Sequence, residues 1–269
     1  MKVFVIGDME GVAGIVKWQQ TGGASALYQE ARKLYTEEMN AAVRGAHAAG
    51  ADEVVVMDCH GAGEEYTFNS LVPELLDPGC EYVVQERWTE YTRFLESGCD
   101  AALLVGMHAR AGTEDGVLSH TVSGQAWRSL RFNGVEVGET AINAALCGTW
   151  GCPVLMVTGD RAVCREATEL LGSGLTTVEV KEGLGRFSAR QLPPVRAREL
   201  IEEGAQVALK DLSAVPPYDP GKPCAFEIEF MSPDRLVEYR TRRGVEQLDA
   251  LRLVSRGDDW WTAWSQFFY

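Results

Sequence analysis

Four short apolar runs divide the first part of the chain, at positions 3–6, 54–57, 102–106 and 153–157. Each run is nearly continuous rather than alternating, which is typical of strands that are covered by helices on both faces. Between the first two runs, residues 28–49 carry apolar side chains at helical spacing, and a glycine follows them. This strand–helix–strand order predicts parallel strands joined by right-handed crossovers.

The later part of the chain mixes helix and strand signals. The pair Asn133-Gly134 lies between two short strand-like segments and predicts a hairpin. Residues 161–171 have the pattern of a helix, residues 176–180 that of a strand, and residues 224–230 alternate as a strand does. Helices and strands therefore continue beyond the last of the four apolar runs.

Together these patterns predict an α/β fold: a layered α/β/α arrangement with a mainly parallel central sheet, plus a smaller C-terminal α+β portion. We expect residues 1–160 to form the α/β core. Residues 161–269 would pack on this core as the C-terminal portion and are candidates for contacts between subunits. The last ten residues are dense in aromatics, which favours packing in a core or an interface over a platform on which a substrate stacks.

Composition narrows the classes of partner. With 39 acidic and 25 basic residues the net charge is −14, which argues against binding to nucleic acid or to an anionic membrane. No apolar run has the length of a membrane span, and the N-terminus lacks the apolar segment of a signal peptide. The seven cysteines form no Cys-x-x-Cys pair, so we expect neither a disulfide framework nor a thiolate zinc site. These features predict a cytoplasmic protein.

Ionisable side chains follow three of the apolar runs. Asp8 and Glu10 come after the first run, His60 after the second and His108 after the third. The carboxyl ends of parallel strands converge on one crevice, so these residues should meet there. Carboxylate oxygens and imidazole nitrogens together suit a divalent cation, most commonly zinc. With one further glutamate they would supply enough ligands for two cations about 3.5–4 Å apart.

Each candidate also has a simpler interpretation. An acidic residue after a strand, such as Asp8, often forms a turn, and His108 could equally be a hydrogen-bonded core histidine. Asp160 has the position of a helix cap, and Glu139 suits the dipole at a helix start. His120 alone is open between a ligand, a general base, an oxyanion donor, a nucleophile and a structural loop residue. The coincidence of three strand ends is what favours a metal centre.

Five motifs resemble, in order and spacing, those of the M55 metallopeptidases, the D-aminopeptidases of the dipeptide-transport-protein type. They are Asp8-Met9-Glu10-Gly11, Asp58-Cys59-His60, Gly106-Met107-His108-Ala109-Arg110-Ala111, Gly116-Val117-Leu118-Ser119-His120 and Val137-Gly138-Glu139-Thr140-Ala141-Ile142-Asn143-Ala144. The resemblance covers about residues 1–160. One position departs from the family pattern, because Cys59 stands where a serine is expected. We expect Cys59 to point away from His60 and to take no part in the chemistry.

The resemblance implies an aminopeptidase with two zinc ions per subunit that cleaves short peptides with an N-terminal D-amino acid. The two sites would share one bridging carboxylate and add one carboxylate and one imidazole each: Asp8 as the bridge, Glu10 and His60 in the first site, His108 and Glu139 in the second. His120 matches the proposed catalytic residue of the family, either as a base or as a nucleophile.

The resemblance also bears on neighbouring residues and on partners. We expect Asp58 to orient a ligand imidazole. The free amine of the substrate would bind either a metal ion or an acidic residue such as Glu38. The family implies a homo-oligomer whose active sites face an inner chamber, with a decameric ring as the candidate assembly. Two other functions stay open: another binuclear metallohydrolase (amidase, esterase or phosphoesterase), and a non-catalytic peptide-binding protein linked to peptide uptake.

Overall fold

The computed structural model describes residues 1–63, 66–87 and 91–268. In chain order its strands are β1 (Lys2–Gly7), β2 (Glu53–Asp58), β3 (Glu81–Val83), β4 (Ala101–Met107), β5 (Trp127–Phe132), β6 (Val135–Val137), β7 (Val154–Asp160), β8 (Thr176–Gly185), β9 (Ser188–Gln191), β10 (Cys224–Phe230), β11 (Val245–Gln247) and β12 (Arg252–Gly257). The α-helices are α1 (Ala26–Ala48), α2 (Arg93–Glu96), α3 (Glu139–Thr149), α4 (Arg161–Leu171), α5 (Pro194–Ala208) and α6 (Trp260–Phe268). Short 3₁₀ helices lie at Trp18–Gln20 and Pro73–Leu75.

A seven-stranded sheet with the order β3-β2-β1-β4-β7-β8-β9 forms the centre of the molecule. Its strands pair in parallel except for β8 and β9, which are antiparallel. Helices α1 and α5 pack against each other, and α3 and α4 form a second pair. On β7, Met156 lies beside Gly204 of α5, whereas Gly159, three positions on, lies beside Val163 of α4. Helices therefore cover both faces, and the predicted α/β/α fold with a mainly parallel sheet is confirmed.

The first helix shows how local sequence sets these elements. Ser25 caps α1, because its hydroxyl accepts a hydrogen bond from the backbone N–H of Tyr28. Gly50 follows the helix with a φ of 94°, a conformation that glycine adopts without a steric penalty. The predicted helix is therefore present and begins two residues earlier than its apolar pattern indicates.

A second sheet is antiparallel and has the order β11-β12-β10-β5-β6. The predicted hairpin joins β5 to β6, with φ of 48° at Asn133 and 82° at Gly134, values that suit a type I′ turn. Helix α6 packs on β10 and β12, so the aromatic C-terminal segment lies against this sheet, as predicted for core packing. Tyr269, the last residue of that segment, lies outside the described residues.

Both sheets combine strands from the two sides of residue 160. Strands β8 and β9 extend the central sheet, and β10 pairs with β5 in the second sheet. The C-terminal portion is thus packed on the core by strand pairing as well as by side chains. Among the described residues, no helix combines the length and the apolarity that crossing a membrane requires.

The order of the central strands places a crevice beside β1. From β1 the chain proceeds outward to β2 and β3 and then returns to β4, on the opposite side of β1. In open α/β sheets, ligands bind at the carboxyl ends of the strands where the order reverses in this way. Asp8 directly follows β1, and His108 directly follows β4.

Candidate metal centre

Two backbone hydrogen bonds hold the loops after β1 and β4 together. The N–H of Asp8 donates to the carbonyl of Val105 at 2.8 Å, and the N–H of Gly11 donates to that of Gly106 at 2.8 Å. Gly106 has a φ of 72°, and a Cβ there would lie 2.1 Å from the carbonyl oxygen of Asp8. Only glycine fits this close approach, which brings Asp8 next to His108.

The carboxylate of Asp8 lies between two imidazoles. Its Oδ1 is 3.0 Å from Nδ1 of His60, and its Oδ2 is 3.2 Å from Nε2 of His108. Each imidazole also faces a second carboxylate: Oε2 of Glu10 is 3.1 Å from Nδ1 of His60, and Oε1 of Glu139 is 3.2 Å from Nε2 of His108. The structure therefore brings together all five residues that the resemblance implies as ligands.

Backbone carbonyls orient the three histidines of the site. Nε2 of His60 lies 2.6 Å from the carbonyl of Thr21, Nδ1 of His108 lies 3.0 Å from that of Ala109, and Nδ1 of His120 lies 2.9 Å from that of Leu118. Because a carbonyl can only accept, each of these nitrogens carries the proton. The other ring nitrogen of each histidine is directed into the site, where it can bind a cation once it carries no proton, which is the usual arrangement around metal-binding histidines.

Burial and the neighbouring charges shift the pKa values of this cluster in opposite directions. Burial lowers the pKa of His60 and His108, but the neighbouring carboxylates, chiefly Glu10 for the first and Glu139 for the second, raise both pKa values well above the usual range. Burial raises the pKa of Asp8, but the adjacent imidazoles of His108 and His60 bring it well below its usual value. The carboxylates thus create a negative potential that favours positive charge at the imidazole nitrogens.

The donor atoms fit divalent cations. Asp8, Glu10, His60 and His108 are each at most 5% exposed. Oε2 of Glu10 and Nε2 of His108 are buried without a hydrogen-bond partner. Two groups of donors each lie within 4.8 Å of one another: Asp8, Glu10 and His108 in one, and His108, His120 and Glu139 in the other. Unpaired buried donors of this kind are expected where cations bind.

Residues 1–268 match the model of the family Peptidase_M55, described as D-aminopeptidase. The chain belongs to this family. A D-aminopeptidase of Bacillus subtilis (strain 168) is 32% identical over 231 residues, which are 86% of this chain and 81% of that protein. The structure of the Zn-dependent D-aminopeptidase DppA from Bacillus subtilis, a self-compartmentalizing protease, is similar with a TM-score of 0.91 at 29% identity, over 100% of this chain and 96% of that chain. The predicted family and the predicted enzyme class, a metallo-aminopeptidase, are confirmed.

In this M55 protein, a cavity of about 150 Å³ opens directly onto four of the five predicted ligands, Asp8, Glu10, His60 and Glu139, and onto His120. Its apolar wall is formed by Phe68, Val122, Ile142, Trp264 and Phe268. Trp264 and Phe268 come from the aromatic C-terminal helix, so this segment both packs on the second sheet and lines the cavity. These two side chains therefore lie where a molecule bound in the cavity would contact them.

His120 lies at the edge of the metal centre. Its Nε2 is 3.8 Å from Oε1 of Glu139, farther than the corresponding atom of His108. Burial, followed by the positive charge of His108, lowers the pKa of His120. A neutral imidazole with Nε2 unprotonated can accept a proton, so the geometry suits a base.

Helix α3 and the loop before it position the second half of the site. Glu139 is the first residue of α3, and its carboxylate also accepts the N–H of Val122 at 2.7 Å. Asp160 caps α4 as predicted, accepting from the N–H of Val163 at 2.8 Å, and it also accepts from Val117 at 2.7 Å. The cap therefore holds the loop that carries His120.

Three expectations about neighbouring residues were wrong. Glu38 is 1% exposed and accepts from the N–H of Ala13 at 2.9 Å, so it holds a loop and cannot bind a substrate amine. Asp58 accepts a hydrogen bond from the backbone N–H of His60, not from its imidazole, which the carbonyl of Thr21 orients instead.

The third of these expectations concerns Cys59, which lines the cavity rather than pointing away from it, because the chain leaves the extended conformation after β2. Burial raises the pKa of Cys59 well above its usual value, so it remains a thiol.

Lys181 supports the site and was not found from the sequence. Its buried Nζ donates to the carbonyls of Glu10, Val12 and Ile15 at 2.6, 2.8 and 2.8 Å. The loop that carries Asp8 and Glu10 is thus tied to β8. The sequence offers one indication of this role, a lysine directly after the strand predicted at residues 176–180. In the structure this strand continues to Gly185 and therefore includes Lys181.

Proposed function

We propose that this protein is a zinc-dependent aminopeptidase that removes a D-amino acid from the N-terminus of short peptides and uses two metal ions. The observation that carries the proposal is the position of Asp8, whose two carboxylate oxygens face different imidazoles, each beside a second carboxylate. A centre for one ion would not require a carboxylate shared in this way.

The five ligands would divide into two sets that share Asp8: Glu10 and His60 in the first set, and His108 and Glu139 in the second. Two divalent cations held there would polarise a carbonyl and lower the pKa of a shared water. The chain supplies the rest of the chemistry. Backbone carbonyls keep each ligand imidazole in one orientation.

His120 would act as the general base. Its Nδ1–H is held by the carbonyl of Leu118, which leaves Nε2 free to take a proton from the attacking water. The same nitrogen can then return the proton to the leaving amine. The lowered pKa of His120 supports this role, because a neutral imidazole is needed at the start of the reaction.

The cavity beside the centre supports cleavage at the first peptide bond. A space of about 150 Å³ with an apolar wall suits the side chain of one terminal residue rather than a longer stretch of peptide. The preference for a D-residue is proposed from the two Bacillus subtilis relatives. Their activity, the family description and the metal centre of this chain point to the same reaction.

We further propose a homo-oligomer, with a decameric ring as the assembly to test, and a cytoplasmic location. The self-compartmentalizing protease DppA, which covers the full length of this chain, supports self-association. The mass of the assembly in solution, measured by light scattering, tests this part of the proposal. A monomer at micromolar concentration would contradict it.

The catalytic proposal is tested by a panel of substrates and by metal analysis on one preparation. We expect about two zinc ions per chain and hydrolysis of D-Ala-D-Ala well above that of L-Ala-L-Ala. Hydrolysis of an amino-acid amide or ester without the dipeptide would indicate an amidase or esterase, and turnover of a phosphate ester alone would indicate a phosphoesterase. Tight peptide binding without turnover in zinc-replete buffer would identify a peptide-binding protein instead.

A further inference from the structure

A second cleft leads away from the metal centre. It has a volume of about 450 Å³, and its lining includes Glu10, His60 and His120 of the candidate centre together with Trp18 and Arg186. A peptide whose scissile carbonyl reaches the centre from this cleft would extend its C-terminal residue toward Arg186. The chemistry of that arginine therefore bears on which peptides fit.

Aromatic rings hold the guanidinium of Arg186 near His120. Its Cζ lies 5.6 Å from the ring centroid of Trp18 and 5.6 Å from that of Phe187. The Trp18 ring also meets the His120 ring edge to face, at 5.3 Å between centroids. The carbonyl of Arg186 accepts the N–H of Leu118, two residues before His120, at 2.8 Å. Both backbone and side chain thus fix Arg186 relative to the proposed base.

Gly124 lies between Arg186 and His120. A Cβ at Gly124 would lie 3.5 Å from Cβ of His120 and 3.6 Å from Nη2 of Arg186. Nη2 of Arg186 and Cβ of His120 therefore both lie beside the same backbone position, residue 124. A group bound by Arg186 would be held at a short distance from the bond that is cleaved.

Arg186 differs from its neighbours in having no acidic partner. A wider cleft of about 650 Å³ also reaches His120 and contains Arg128 and Arg131, but these arginines lie 3.6 Å from carboxylate oxygens of Glu229. In the described ranges, no carboxylate lies within ion-pairing distance of Arg186. It is also the only arginine or lysine among the described residues that line the 450 Å³ cleft. In a chain with a net charge of −14, such a cation is available for an anion from outside.

We propose that Arg186 binds the C-terminal carboxylate of a dipeptide substrate and thereby selects short peptides with a free carboxylate. This inference rests on the proposed aminopeptidase activity. The planar guanidinium presents N–H groups that match the two oxygens of a carboxylate, and stacking on aromatic rings leaves that edge free. Binding the leaving residue by its carboxylate would also place the scissile carbonyl beside the metal centre. Arg186 is thus a specificity-determining residue for this reaction.

The test compares Arg186→Gln with the wild type on D-Ala-D-Ala and on the same dipeptide with a C-terminal amide. We expect the wild type to prefer the free acid, and the variant to lower the ratio of kcat/KM for acid over amide by about 10- to 100-fold, mainly through KM. Arg186→Lys should recover part of the ratio, because it restores the charge without the bidentate geometry. Arg190→Gln is the matched control, since Arg190 pairs with Glu182 outside both clefts and should leave the ratio as in the wild type.

Zinc content is measured for every variant, so that loss of the metal centre is recognised separately. An acid-to-amide ratio in Arg186→Gln equal to that of the wild type would overturn the role of Arg186 while the aminopeptidase proposal stands. An equal loss of activity on both peptides would do the same and would assign Arg186 a structural role. A wild-type enzyme that cleaves neither peptide would overturn the proposed function together with this inference.

Discussion

The rings of His108 and His120 stack face to face, with centroids 4.1 Å apart and planes inclined by 10°. Their environments nevertheless differ. Nε2 of His108 is 3.2 Å from both Asp8 and Glu139, whereas Nε2 of His120 reaches only Glu139, at 3.8 Å. The stack fixes the position of His120 and leaves its free nitrogen at the side of the cavity. This difference is the geometric basis for proposing His108 as a ligand and His120 as a base.

The first prediction follows from that difference. His120→Ala should lower kcat on D-Ala-D-Ala by about 100-fold or more, because the general base is removed, while zinc per chain stays near the wild-type value. Steady-state kinetics and elemental analysis of the same sample check this. His47→Gln is the control, since His47 contacts the carbonyls of Ala51 and Gly79 away from the site. A variant that loses zinc together with activity would show that His120 is a ligand.

The second prediction concerns the shared carboxylate. Asp8→Asn should reduce metal content below that expected for the loss of one ion, because both sites use this side chain, and it should abolish activity. Glu10→Gln should weaken one site only. Metal per chain after dialysis, measured with Asp211→Asn as a control in an exposed loop, distinguishes the two variants. If Asp8→Asn retains two ions per chain, the bridging role is wrong.

The third prediction concerns the lysine under the ligand loop. Lys181→Met should lower the free energy of unfolding by about 3 kcal/mol, because three buried carbonyls lose a charged donor. It should also release zinc more readily, since those carbonyls belong to the loop that carries Glu10. Urea denaturation and zinc retention against a chelator measure both effects, with the exposed Lys210→Met as the control. Unchanged stability and retention would show that the loop does not depend on Lys181.

The fourth prediction is a pH dependence of stability. Burial raises the pKa of Glu38 from its usual value of about 4.5 to about 7, although the hydrogen bond from the N–H of Ala13 and the charge of Lys181 both oppose this shift. In the folded protein the neutral form is favoured, so the wild type should lose stability as the pH rises from about 4.5 to 7 and change little from this group above 7. Glu38→Gln cannot ionise and should therefore gain about 3 kcal/mol relative to the wild type across that range.

Denaturation of metal-free protein at several pH values measures this difference, and Glu30→Gln, exposed on the same helix, is the control. The amide of Gln can still accept the N–H of Ala13, so the loop contact is retained. A difference between Glu38→Gln and wild type that stays constant from pH 5 to 8 would mean that Glu38 is charged throughout.

The sequence predicted the helices and strands to a large extent. The helix at residues 161–171 and the strand at residues 224–230 have the predicted bounds, because regular spacing of apolar residues sets which face is buried. The hairpin at Asn133-Gly134 was equally readable, since few residues other than these accept positive φ at both positions. The split of the chain at residue 160 stays a prediction.

The candidate ligands could also be chosen from the sequence, because strand order brings the carboxyl ends of parallel strands to one crevice and the motif series supplied Glu139. What could not be read were contacts that depend on the packing of distant segments. Lys181 reaches the loop after β1 only because β8 lies in the same sheet. Arg186 lies near His120 only because its carbonyl, just after β8, accepts the N–H of Leu118 in the loop that carries His120.

By itself, then, the amino-acid sequence determined the kinds of element, the α/β class and the residues able to bind cations, since periodicity and donor chemistry are local properties. Only the tertiary structure decided that Cys59 lines the cavity, that Glu38 is withdrawn into the core and that Trp264 and Phe268 face the metal centre. The physical reason is that side-chain direction beyond a strand end depends on turn geometry and on which distant backbone groups need a partner. Contacts of this kind leave no periodic pattern of apolar and polar residues in the amino-acid sequence.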